Sequence, residues 1–191
     1  MTQRTRSGAS SPAPQQALRR PGTVTGVRIF ADVLYDADPG TVFAMICDVA
    51  FQERKCVANG ALEHRVEIEE YEDGGAMITT HRTLPADGVP DFVKSLVGPT
   101  LMIRQTDDWA GPGPDGVRTG TTVAEIAGAP VRFAADLRLE PTAAGARQAV
   151  TGELKAAVPL VGGRIEKATE PAIRAAIRAE QRTSTAWLTQ G

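Results

Sequence analysis

The chain has 191 residues, enough for one domain that buries about 70% of its unfolded surface. It is 42% apolar and 23% charged with a formal net charge of −2, which speaks against a dedicated nucleic-acid binder. No stretch reaches about eighteen consecutive apolar residues, so no transmembrane segment is expected. The two cysteines, Cys47 and Cys56, lack metal-ligand spacing and read as reduced, cytoplasmic thiols.

In chain order, residues 1–22 hold Arg4, Arg6, Arg19 and Arg20, three prolines and no acid. They predict a disordered tail without a secretory h-region, leaving 23–191 as the folded domain. Val24 to Tyr35 alternates as a strand. Asp38 and Pro39 are placed to start a helix, Asp48 to cap a second one containing Phe51, and Asn59-Gly60 to end it. Leu62 to Glu70 alternates strictly, with Leu62, His64, Val66 and Ile68 facing in. Asp73-Gly74-Gly75 predicts a hairpin turn into Ala76–Leu84. Asp91 to Val97 reads as one or two helical turns. Four more strands follow, at Thr100–Trp109, Val117–Ile126, Val131–Glu140 and Arg147–Ala156, with short turns between them.

The last stretch, Gly163 to Leu188, has helical periodicity. Ile165, Ala168, Thr169, Ala172, Ile173, Ala176, Ala179, Thr183, Ala186 and Trp187 share one side. Arg164, Lys167, Arg174, Arg178, Gln181, Arg182 and Thr185 share the other. Glu180 falls inside the apolar stripe, and Pro171 should kink the helix or mark its true start. The stripe is rich in alanine and threonine, thinner than a helix that only seals a core would present. This order of elements predicts an α+β fold, a curved seven-stranded antiparallel sheet around a long C-terminal helix, with two short helices after the first strand.

Tyr35-Asp-Ala-Asp-Pro-Gly-Thr-Val-Phe after the first strand, Pro159-Leu-Val-Gly-Gly-Arg-Ile-Glu before the last helix, and the element order resemble the START-like (SRPBCC) superfamily and its helix-grip fold. Leu84-Pro85, Val89-Pro90-Asp91-Phe92, the strand ending in Trp109 and the Glu180-Gln181 pair are similar to a largely actinobacterial branch whose function is unassigned. The resemblance covers about residues 24–189 and implies a hydrophobic cavity between helix and sheet.

The leading expectation is a non-enzymatic carrier or sensor of a small hydrophobic, lipid- or polyketide-like ligand. Its lining would fall to His64, Val66, Ile78 and Trp109 from the sheet and to Phe92 and Leu96 from the segment between strands. From the helix it would draw Ile173, Ala176, Glu180, Thr183 and Trp187. His64 would bond a ligand or, more plainly, a backbone carbonyl in the core. Glu180, costly to bury alone, would meet a cation such as Arg104 or Arg82, take up a proton, or address the ligand. Trp109 and Trp187 would wall the cavity or fill core. Phe92-Val93-Leu96-Val97 would form a lid, a plug, or an edge for transient membrane or partner contact. The alternatives are a cyclase- or hydratase-like enzyme using His64 with Glu180, and a protein-interaction module with a filled core. No metal, cofactor or nucleic acid is expected: His64 and His81 are the only histidines, and Gly111-Pro-Gly-Pro-Asp-Gly has prolines where a phosphate loop needs backbone donors.

Overall fold

The computed structural model describes residues 26–87, 89 and 91–190, and within that span the side chains of Phe92, Val93 and Leu96 are outside the described set. The predicted tail 1–22 also lies outside it. The order is β1 (Val27–Tyr35), α1 (Pro39–Ile46), α2 (Val49–Ala58), β2 (Glu63–Glu70), β3 (Ala76–Pro85), α3 (Asp91–Val97), β4 (Thr100–Trp109), β5 (Arg118–Ile126), β6 (Val131–Thr142), β7 (Gly145–Ala156) and α4 (Gly162–Leu188).

Local chemistry sets the helix starts. The Asp38 carboxylate accepts from the N–H groups of Gly40 and Thr41 and from the Thr41 hydroxyl, with Pro39 at the first turn of α1. Asp48 caps α2 in the same way, accepting from Ala50 and Phe51. Gly74 turns the β2–β3 hairpin with a φ of 82° while Asp73 accepts from the Gly75 N–H. The β6–β7 turn is tighter than strands ending at Glu140 and resuming at Arg147 would leave it. Pro141 pairs with Ala146 and Thr142 with Gly145, so only Ala143 and Ala144 bridge the strands.

The seven strands form one antiparallel sheet in the order β1-β7-β6-β5-β4-β3-β2, open between β1 and β2. Helices span the opening: α2 packs on β2, and α4 packs on α2, β1 and β7. The helix-grip layout therefore encloses the inner face of the sheet on its sides. α1 lies against β6 and β7 and carries Phe43 to the indole of Trp109, at 6.1 Å between centroids and near-perpendicular.

The buried stripe of α4 differs from the wheel. Ala172 is exposed, whereas Glu166 and Ser184 are buried and Ile177 and Leu188 pack on the core. Glu166 is stable there because its carboxylate accepts the Ala156 N–H at 2.9 Å, at the end of β7. Gln181, expected on the solvent side, exchanges two hydrogen bonds with the backbone N–H and C=O of Leu34. It thereby satisfies a free edge of β1, which would otherwise offer its backbone to another strand. The β2 edge is instead lined with charges, Glu63, Arg65, Glu67 and Glu69, all exposed.

Candidate functional site

Strand pairing aligns inward-facing residues in rows across the sheet. Ala76, Trp109, Gly120, Leu137 and Val150 form a row at the end covered by α1. Trp109, Leu137, Val150 and the neighbouring Leu139 and Val33 are buried, and Phe43, Val42 and Ile46 seal them. Gly120 makes room for the indole: a Cβ there would stand 3.0 Å from two ring carbons of Trp109. This end is filled.

Two rows further along, the picture changes. His64, Arg82, Ile103 and Ile126 form one row, beside a second made by Val66, Thr80, Gln105 and Ala124. Val66, Ile103, Ala124 and Ile126 point to the same side as the buried core yet stay half-buried. Ile173, Ala176 and Ile177 of α4 are half-buried as well. Ala124, Ile126, Ile173 and Ile177 pack against the buried core on one side, and apolar surface left partly uncovered in this way can be covered by another molecule.

A polar chain crosses the floor of that region. Arg82 donates to the Gln105 carbonyl at 2.7 Å, and the Gln105 amide donates to Asp107 at 2.9 Å. Thr122 also donates to Asp107. Both Asp107 and Thr122 are buried. A carboxylate only accepts, so Asp107 obliges Gln105 to turn its NH2 inward and its carbonyl toward Arg82. The buried Nε of Arg82 and the hydroxyl of Thr80 have no partner among the described residues. Against Arg82 sits Cys56, whose thiol is pushed up by burial, partly offset by the charges of Arg82 and Lys55. Of these residues the sequence pattern singles out Arg82, as a cation for Glu180, and Cys56, as a reduced thiol, but not Thr80, Gln105, Asp107 or Thr122. The signal was present in the sequence, since Gln105 and Asp107 interrupt the apolar face that Ile103 and Trp109 share.

A second polar cluster joins α2, α4 and β1. Lys55 meets Glu180 at 3.8 Å, with side chains 7% and 19% exposed. The cation opposite Glu180 is therefore Lys55, and neither Arg104 nor Arg82: α2 lies against α4, whereas Arg104 points outward from β4 and Arg82 is engaged by Gln105. Tyr35 donates to Gln148 at 2.9 Å. Burial raises its phenol well above 10.0, with the neighbouring Glu180 charge adding to the effect.

The other expected residues separate. His64 occupies an inward register position but is exposed, as is Leu62 at 63%. Both lie at or beside the start of the edge strand β2, where little stands over them, and alternation reports a face without reporting what covers it. Ile78 and Trp109 are core, each 1% exposed. Thr183 spends its hydroxyl on the Ala179 carbonyl of its own helix. Trp187 packs edge-on against Phe51 of α2 at 5.6 Å. Val66 on the inner face of β2, and Ile173 and Ala176 on α4, are the expected residues that stay half-buried. The side chains of Phe92 and Leu96 lie outside the described set, although α3 itself forms and its loop is tied where the Ala86 N–H meets the Pro99 carbonyl at 2.9 Å. Among the described residues, no cluster of His, Cys, Asp and Glu could hold a metal ion.

A family model described as a protein of unknown function (DUF2505) matches residues 31–188. A relative from Mycobacterium tuberculosis, "Uncharacterized protein Rv0481c", is 27% identical over 127 residues, 65% of this chain and 72% of its own, in keeping with the actinobacterial branch. Among solved structures, a protein from Rhodobacter sphaeroides aligns over 90% of this chain and 97% of its own, with 16% identity and a TM-score of 0.54. The human StarD13 lipid transfer and protein localization domain aligns over 82% and 75%, with 15% identity and a TM-score of 0.50. At such identities the likeness concerns the fold, which is the START-like helix-grip that the sequence resemblance implied.

Proposed function

We propose that this chain, which belongs to the DUF2505 family, binds a small hydrophobic molecule between α4 and the β3–β5 part of the sheet. The observation that carries this reading is the set of inward-facing apolar residues that remain half-buried: Val66, Ile103, Ala124, Ile126, Ile173 and Ile177. Covering them with ligand would contribute about 25 cal/mol per Å² of apolar surface removed from water. The lipid transfer domain among the structural neighbours is consistent with such a role. The free thiols of Cys47 and Cys56 suit a cytoplasmic carrier or sensor.

The enzyme reading loses its acid–base pair, because His64 is exposed on the edge strand and Glu180 is engaged by Lys55. Native mass spectrometry of the freshly purified full chain tests the proposal. An added mass of a few hundred daltons that denaturation releases is the expected result. A protein that carries no such mass and also fails to take up an added hydrophobic fluorophore would leave the protein-interaction reading in its place.

A further inference from the structure

On the premise that the half-open region takes a ligand, we propose that this ligand is an amphipathic monocarboxylate whose carboxylate is received by Arg82 and Thr80. The guanidinium of Arg82 has no carboxylate at ion-pairing distance among the described residues. Its Nη2 is held by Gln105, which Asp107 locks in orientation, and the Cys56 thiol lies against the guanidinium, while its buried Nε–H has no hydrogen-bond partner among the described residues. Two positions along the same face of β3, Thr80 is 2% exposed and its hydroxyl also has no partner among the described residues. Buried donors are rarely left unused, since each forfeits its hydrogen bonds to water.

A neutral acceptor would satisfy one of these donors and leave the cation unpaired. A carboxylate meets both needs, because it carries the opposite charge and has two oxygens to share between the guanidinium and the hydroxyl. The residues beside them define the other end of the guest. Val66 pairs with Thr80 and Ile103 with Arg82, Ile126 continues that row one strand further, and Ile173 and Ile177 lie half-buried on α4. The guest is thus an acid with an aliphatic or aryl body. Asp107 and Gln105 act through Arg82 as positioning residues.

The test compares matched acids and alcohols on the full chain by isothermal titration calorimetry, using laurate against 1-dodecanol and 2-naphthoate against 2-naphthylmethanol. In at least one pair the acid should bind the wild type at least ~10-fold more tightly than its alcohol, the span of a charge-assisted bond. Arg82→Gln should bring that pair within about 3-fold of each other, and Thr80→Val should weaken the acid roughly 3-fold while sparing the alcohol. Thermal melting of each variant establishes that it folds. The wild-type comparison needs no variant, so a misfolded Arg82→Gln does not rescue the idea. Alcohols that bind as tightly as their acids would overturn the carboxylate inference and leave the hydrophobic pocket standing. So would an acid preference that survives in folded Arg82→Gln. Failure of all four compounds to bind would overturn both.

Discussion

The two ends of the inner face use the same kind of residue to opposite effect. At the α1 end, Trp109, Leu137, Leu139 and Phe43 are all buried within one hydrophobic cluster. At the other end of the sheet Ile103 and Ile126 point inward and remain half-covered, as do Ile173 and Ile177 on α4. A fold of this size needs one well-packed region for stability. With α1 supplying it, and with Val131, Phe133 and Leu154 buried further along, the β2–β5 part of the inner face is what the proposed guest would cover. Stability and binding should therefore be separable by mutation along the rows of the sheet.

The largest effect is expected at the filled end. Trp109→Ala should lower unfolding free energy by about 3–5 kcal/mol in urea titrations, because it strips Phe43 of its partner and leaves a cavity that Gly120 cannot fill. A loss below ~1 kcal/mol would show that this end is not the core described. Next comes the ion pair between α2 and α4. Glu180→Gln leaves Lys55 buried with no carboxylate, and a loss of about 2–3 kcal/mol is expected, short of the value for a completely buried pair because Glu180 keeps some water. Unchanged ligand affinity in that variant would confirm a structural role.

The comparison inverts at the open end. Ile126→Ala should cost only about 1 kcal/mol of stability, since its side chain is already half-exposed, yet reduce uptake of a hydrophobic fluorophore severalfold. Equal losses of stability at Trp109 and Ile126 would erase the distinction between the ends. The smallest effect concerns pH. Tyr35 holds its proton more firmly in the folded state than in the unfolded one, through burial first and Glu180 second. Its contribution to stability is fully present below pH 10.0, and it is lost as pH rises from there toward the raised folded value, because the unfolded chain then releases a proton that the folded one keeps. Tyr35→Phe should flatten this alkaline decline in melting temperature.

Much of the fold was legible because it rests on short-range rules. Asp38 and Asp48 were readable as caps because a carboxylate two or three residues before an N–H is a local matter. Strand alternation gave the correct face for almost every inward residue, His64 included, since the side-chain period is fixed by the backbone. The candidate site was less legible. His64 has the right face and the wrong cover, Trp109 has the right face and a filled end, and no local pattern sets Ile103 and Ile126 apart from ordinary strand residues.

The sequence by itself determined the elements, their order, and the handing of strand side chains to one face of the sheet or the other. All of these depend on neighbours within a few positions. Only the tertiary structure decided that Lys55 answers Glu180 across 125 residues of chain, that Gln181 clips the edge of β1, and that Arg82 is tied to Asp107 through Gln105 with its Nε left over. Those pairings depend on how helices settle over the sheet, and coverage of that kind arises from packing between distant segments, which no local periodicity encodes.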